Sequence, residues 1–259
     1  MLSKRVNVAL VGAGGNGSQM LTGLARLDRA MRSLGHPGGL HVDVIDYDLV
    51  TEANVGRQLF SFSDLGLPKA VVLIHRVNLF FGVSWRAIQR RAEDINLGVY
   101  DIVIGCVDSR RSRKEIMVSV EGKFSGTDYW LDIGNKAADG QVVLGEPRKL
   151  NCKKKCSARL PTVAELFPEI IDESLDGKDN GPSCSLAEAL SRQELFINQA
   201  VVTHALDILW RLFRYGKISH HGVFVNLESG RTTPLPVDKE VWKRLKPKKA
   251  RSKKLKEGN

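Results

Sequence analysis

In this chain of 259 residues, the run Gly12-Ala13-Gly14-Gly15-Asn16-Gly17 has residue types and spacing suited to chemistry. It follows the apolar segment Val6–Val11 and precedes apolar residues at helical spacing: Met20, Leu21, Leu24, Leu27 and Met31. A glycine turn between strand and helix lets backbone N–H groups approach a phosphate with no Cβ in the way. The helix N-terminus adds the positive end of its dipole at the same place. Gly12, Gly14, Gly15 and Gly17 are therefore candidate nucleotide-binding residues. An acid ending the second strand is expected to hold the ribose hydroxyls, and Asp46 ends Leu40–Ile45. Its separation from Gly17 exceeds the usual spacing of about 20 residues, and the Arg29–Gly39 stretch accounts for the surplus. On these features alone an NAD(P)- or S-adenosylmethionine-using enzyme fits as well as an ATP-using one.

The segment behind Asp46 separates these readings. It carries Asp46-Tyr47-Asp48-Leu49-Val50, then Asn54, Arg57-Gln58, Asp64, Gly66 and Pro68-Lys69. Bases and amides this close behind the ribose acid have no use in hydride transfer, whereas a triphosphate needs them. The pattern resembles D-x-D-x-V-x-x-x-N-x-x-R-Q…D-x-G-x-x-K of the ThiF/MoeB/HesA ubiquitin-activating superfamily. The resemblance spans Val6 to Gly145 and, more loosely, the helix after Cys184. It implies a Rossmann-like fold and an ATP-dependent adenylyltransferase. That enzyme joins the C-terminal carboxylate of a small ubiquitin-like or sulfur-carrier protein to AMP and releases pyrophosphate. Arg57 and Lys69 would then neutralise charge developing on the phosphates, and Asn54 and Gln58 would orient phosphate or ribose. The family also implies that Asp108, in Ile104-Gly105-Cys106-Val107-Asp108-Ser109, binds the Mg²⁺ that accompanies ATP. Ligands gather beyond the carboxyl ends of parallel strands, and Mg²⁺ takes one or two carboxylates beside phosphate oxygens. Asp108 also reads as an N-cap for a helix beginning at Arg110.

Within the superfamily, Pro161-Thr-Val-Ala-Glu-Leu-Phe-Pro168 and Pro182-Ser-Cys-Ser-Leu-Ala-Glu-Ala-Leu190 are similar to the ThiF-related members of PRTRC cassettes. This implies a ubiquitin-like substrate, a conjugating-enzyme-like partner and a homodimer. Cys184 resembles the family cysteine that takes the activated carboxylate as a thioester; an incidental cysteine is the alternative. Cys152-Lys-Lys-Lys-Cys156 resembles half of the family's zinc site with x₃ spacing, and no second cysteine pair follows. A structural Zn²⁺ needs four ligands, and His220 and His221 are the residues that could complete the set; as an adjacent pair they do not make zinc the expectation, and Cys106 is expected in the core. The arginine-bearing N-terminal helix of many relatives has no counterpart before the first strand, and neither Lys4 nor Arg5 is assigned its part. Two alternatives stand beside the adenylating enzyme: an NAD(P)-dependent Rossmann oxidoreductase, and a non-catalytic adaptor with a degenerate activating domain.

The elements that must position these residues follow from periodicity. After Val6–Val11 come a helix over Ser18–Ser33, a strand at Leu40–Ile45 and a polar loop from Asp46 to Lys69. A helix over Ala70–Phe81 precedes strands at Trp85–Gln89 and Asp101–Cys106. A helix over Arg110–Gly122 then leads to strands at Tyr129–Gly134 and Gln141–Leu144. This order predicts an α/β, Rossmann-like, mainly parallel sheet with helices on both faces. Residues 1–145 form the ATP-binding half and 146–185 an irregular crossover and thiol-loop region. That region holds one short segment, Val163–Ile171, and a mobile linker, Asp176–Pro182. Residues 186–237 return to the same domain as a long helix, Leu186–Tyr215, and a hairpin of Gly222–Asn226 with Arg231–Val237. Residues 238–259 form a basic, disordered tail. That tail holds ten Lys or Arg against three acids, most of the chain's net charge of +10. It suits nucleic acid or another acidic partner, or simply solvent. With 42% hydrophobic residues, no long apolar run and no secretory leader, a cytoplasmic protein without a membrane span is expected.

Overall fold

The computed structural model describes residues 4–148, 159–176 and 193–246. Its frame is an eight-stranded sheet in the order β3-β2-β1-β4-β5-β6-β7-β8. The strands are β1 (Val6–Val11), β2 (Leu40–Ile45), β3 (Arg86–Ile88), β4 (Ile102–Gly105), β5 (Tyr129–Asn135), β6 (Asp139–Gly145), β7 (His220–Asn226) and β8 (Arg231–Pro236). From β3 to β5 every neighbour is parallel, and β6, β7 and β8 continue the same sheet antiparallel. The central strands are buried along nearly their whole length. Apolar, mostly β-branched sequence on both faces is what a helix-covered parallel sheet requires.

The α-helices among the described residues are α1 (Gly15–Ser33), α2 (Lys69–Phe81), α3 (Arg110–Val120), α4 (Val163–Leu166), α5 (Ile197–Tyr215) and α6 (Lys239–Leu245). α1 packs on α2 and on α5, and α5 also lies along β5, β6 and β7. The chain runs from β1 through α1 to β2 on one side of β1, and from β4 through α3 to β5 on the other. Right-handed crossovers then set α1 and α3 on opposite faces. Single-turn helices at Ala92–Asp94, Leu97–Val99, Pro168–Ile171 and Glu173–Leu175 pack with α3.

Several boundaries differ from the periodicity. α1 begins at Gly15 rather than Ser18, because the Ser18 amide already donates to the Gly14 carbonyl at 2.9 Å. α5 begins at Ile197 rather than Leu186: Leu195–Phe196 turn, and the Glu194 amide is spent on the Ala137 carbonyl at 2.9 Å. Residues 186–192 lie outside the described residues. The start of the expected disordered tail is ordered. Asp238 caps α6 by accepting from the Glu240 amide, and buried Trp242 donates its Nε1 proton to the Pro236 carbonyl at 3.1 Å. Ser109, not Asp108, caps α3, accepting from the Ser112 amide at 3.1 Å. No helix among the described residues is long and apolar enough to cross a membrane.

Candidate functional site

Strand order reverses at the β1/β4 boundary, so the loops leaving the carboxyl ends of these two strands lie side by side. The Cys106 amide donates to the Val11 carbonyl at 2.8 Å, and the Gly12 amide to the Ile45 carbonyl at 2.9 Å. A Cβ on Gly12 would stand 2.7 Å from the Cys106 carbonyl oxygen, and one on Gly17 would stand 1.8 Å from the Gly12 oxygen. Glycine at both positions is what allows the loop to fold back over the first turn of α1 and touch the β4 loop.

Asp46 clamps this loop. Its Oδ2 accepts from the Ala13 amide at 2.5 Å and its Oδ1 from the Asp48 amide at 2.7 Å. Burial pushes its carboxyl pKa up, against those two amide bonds. Each oxygen keeps a further lone pair for a ribose hydroxyl. The buried Lys69, first residue of α2, donates to Asp48 Oδ2 at 3.0 Å. Asp48 was legible only as part of the motif, and here it holds the lysine beside Asp46.

Asn54 shapes the intervening turn. Its Oδ1 accepts from the Thr51 amide at 2.9 Å and hydroxyl at 3.1 Å, and its carbonyl accepts from the Gln58 amide at 2.9 Å. This turn carries Arg57 and Gln58 to the glycine loop, where a Cβ on Gly14 would stand 3.9 Å from Gln58 Nε2. Arg57 Nη1 donates to Gln193 Oε1 at 2.6 Å, while burial pulls the guanidinium pKa down and the charge of Asp108 opposes it. The exposed Asp108 carboxylate makes no hydrogen bond within the described residues; its carbonyl accepts from Arg113 Nη1 at 3.4 Å. Arg57 and Asp108, from two elements, thus lie close enough for their charges to interact.

Four further polar residues, Asn16, Asn135, Gln193 and Asn198, are not among those expected from the sequence. Asn16 Nδ2 donates to Asn135 Oδ1 at 2.8 Å, and Gln193 Nε2 donates to Asn198 Oδ1 at 3.4 Å. Asn16 stood inside the glycine run and was open to notice; the others come from distant chain. Four of the eight buried side-chain atoms without a hydrogen-bond partner among the described residues lie here: Asn16 Oδ1, Arg57 Nε, Gln58 Oε1 and Asn198 Nδ2. Cys106 follows β4, and burial, with Asp132 nearby, pushes its thiol pKa up, so it stays protonated. Cys152, Cys156 and Cys184 lie outside the described residues. Among the described residues no group of three His, Cys, Asp or Glu is placed to hold a metal by itself. Any Mg²⁺ at Asp108 would need phosphate oxygens to complete its shell.

No curated protein matches this chain in sequence. Solved structures with the same fold include MccB from E. coli with AMPCPP and MccA, at 14% identity and a TM-score of 0.53. PaaA matches with a TM-score of 0.55 and MccB with ATP with 0.54, each at 14% identity. Each alignment covers 90% of this chain, which spans 64% of the neighbour's length. At such identity the likeness is one of fold. The sequence match is to a family: its profile runs through the glycine loop, the Asp46–Lys69 segment, the β4 loop and α5, over residues 3–252, and by it the chain belongs to the ThiF family.

Proposed function

We propose that this chain is an ATP- and Mg²⁺-dependent adenylyltransferase that activates the C-terminal carboxylate of a small ubiquitin-like or sulfur-carrier protein. The observation that carries the reading is the set of buried, unpaired polar atoms on Asn16, Arg57, Gln58 and Asn198 around the glycine loop. Leaving such an atom unpaired costs about 1–3 kcal/mol, so a ligand offering both donors and acceptors belongs there. Two cations bear on that site, Arg57 and Lys69, the latter paired with the half-exposed Asp48 and lying beside Asp46. That charge suits a triphosphate better than a dinucleotide. The neighbour MccB, crystallised with ATP and with AMPCPP together with MccA, supports the same reading.

The glycine-loop amides would hold phosphates and Asp46 the ribose. Bound Mg²⁺, held by Asp108 and phosphate oxygens, would supply further neutralisation of the phosphates. A carboxylate oxygen of the substrate attacks the α-phosphorus, the bond to the bridging oxygen breaks, and pyrophosphate leaves with the electron pair. Arg57 and Lys69 stabilise the charge that accumulates on it. Cys184 is the candidate acceptor in a following step, its thiolate displacing AMP to give a thioester. We further read the chain as a PRTRC-type member acting as a homodimer with a conjugating-enzyme-like partner.

Two measurements test this. Mg-ATP at 100 times its Kd should stabilise the protein by about 2.7 kcal/mol, read as a rise in Tm that NAD(P) does not produce; no response to Mg-ATP ends the proposal. ATP–pyrophosphate exchange in the presence of the ubiquitin-like protein should fall about 100-fold in Arg57→Ala and in Asp108→Ala. Exchange that survives both substitutions would remove these residues from the reaction.

A further inference from the structure

The first turn of α5 closes the glycine loop from a side that the strand–turn–helix motif does not account for. Asn198, in that turn, is 3% exposed. A Cβ on Gly15 would stand 2.5 Å from its Nδ2, 2.7 Å from its Cγ and 2.8 Å from its Oδ1, so the amide lies face-on against that residue. The amide therefore lies against the first residue of α1, where the phosphate-binding N–H groups emerge. That Nδ2 has no partner among the described residues.

The direction of the amide is set by Arg57. A guanidinium only donates, so the group facing Arg57 Nη1 at 2.6 Å must be the oxygen of Gln193. That turns Gln193 Nε2 toward Asn198, which must answer with its oxygen, at 3.4 Å. Asn198 is then left with Nδ2 as the unpaired end of an amide lying over Gly15. A donor-only cation at one end thus fixes a donor at the other, through two amides that could otherwise flip. A buried donor beside a helix N-terminus is satisfied by an anionic acceptor and not by another donor.

We propose that Asn198 is a phosphate-binding residue, its Nδ2 donating to a phosphate oxygen of the nucleotide. Gln193 is a positioning residue that aims both Arg57 and Asn198. This rests on the ATP reading above and extends it to an element that enters the site from the far end of the chain. Arg57 and Asn198 are coupled: loss of Gln193 frees both ends of the relay.

The test is calorimetric titration of the full chain with Mg-ATP and, separately, with adenosine, which lacks phosphate. Asn198→Asp keeps the volume and replaces the donor by a carboxylate. It should weaken Mg-ATP about tenfold or more and leave adenosine unchanged. Asn198→Ala, which adds no charge, should act in the same direction and guards against a folding defect peculiar to the aspartate. Gln193→Ala should also weaken Mg-ATP selectively, and its effect should shrink when Asn198 is already alanine. Equal weakening of ATP and adenosine would make Asn198 a packing residue and overturn the proposal, as would no change in either. Wild-type protein that fails to bind Mg-ATP at all would instead overturn the ATP reading.

Discussion

Gly12 and Gly35 have nearly the same φ, +92° and +90°, yet a methyl group added at Gly35 would meet nothing within 4 Å, while one at Gly12 would face the Cys106 carbonyl at 2.7 Å. Alanine at Gly35 therefore incurs the left-handed penalty alone, on the order of 1–3 kcal/mol. At Gly12 it must in addition push the β1 and β4 loops apart. Urea unfolding should find Gly12→Ala less stable than Gly35→Ala, and Mg-ATP should raise the Tm of the second but not of the first. Equal stability with an intact nucleotide response in both would mean that the two loops need not touch. The glycines, Asp46, Arg57, Gln58, Lys69 and Asp108 stood out as candidates because their meaning lies in short local spacing. Asn198 and Gln193 carry no such signal. They meet Gly15 and Arg57 only because α5 packs on α1, and nothing near them in sequence says so. Asn54 was legible as a polar residue in the right segment, but the bond it makes to Thr51 gives it a turn-shaping part that spacing alone does not reveal.

At the scale of elements, α3 is tied to β5 by a buried ion pair. Arg113 Nε donates to Asp132 Oδ1 at 3.0 Å, and Asp132 is fully buried. Gly134 makes room for the guanidinium, since a Cβ there would stand 2.7 Å from Arg113 Nη2. Burial pushes the Asp132 carboxyl pKa up and Arg113 opposes it. Arg113→Met leaves that carboxyl without its partner and should cost about 3–5 kcal/mol, whereas pairing it with Asp132→Leu should recover most of the loss. Chemical denaturation of the two single variants and the double variant measures the coupling, and additive losses would show that the pair acts as two independent residues. Because Arg113 also donates to the Asp108 carbonyl, the same cycle followed by Mg-ATP affinity reports whether this tie steadies the β4 loop. The elements themselves were largely legible: apolar runs marked the strands, and helical spacing marked α1, α2 and α3. Ends were less so. Gly15 and Gly17 read as turn residues, yet close packing under Gly12 holds them in a helix. α6 was hidden in a basic stretch whose composition suggested disorder, because one buried tryptophan and one aspartate cap outweigh the surrounding charge.

Across the whole molecule, the chemistry gathers at the β1/β4 switch point, and further groups with shifted pKa values lie on other elements. His221, on β7, is fully buried; its Nδ1 lies 2.7 Å from the Leu144 carbonyl, and its Nε2 has no partner among the described residues. Trp242 of α6 meets its ring edge-on at 5.3 Å. Burial holds its pKa below the usual histidine value, against the Leu144 bond, and burial lowers His41 and His204 as well. The unfolded chain therefore takes up protons below pH about 6.5 that the folded protein refuses, so stability falls as pH drops through that region. Glu165 behaves differently. Burial alone would raise its carboxyl, but Arg159, the Thr162 amide and Arg148 hold it at about 2. Its contribution is complete above the unfolded carboxylate value and is lost as pH falls from there toward 2. Acid unfolding should accordingly show a shallow loss from pH 7 to 5 and a steeper one below it. His221→Gln keeps a donor for Leu144 and cannot titrate, so it should flatten the first phase by up to one proton while leaving the second in place. Glu165→Gln should do the reverse. Urea unfolding at pH 7, 6, 5 and 4 separates the two phases. An unchanged slope between pH 7 and 5 in His221→Gln would mean that the docking of α6 against β7 and β8 does not depend on a neutral His221.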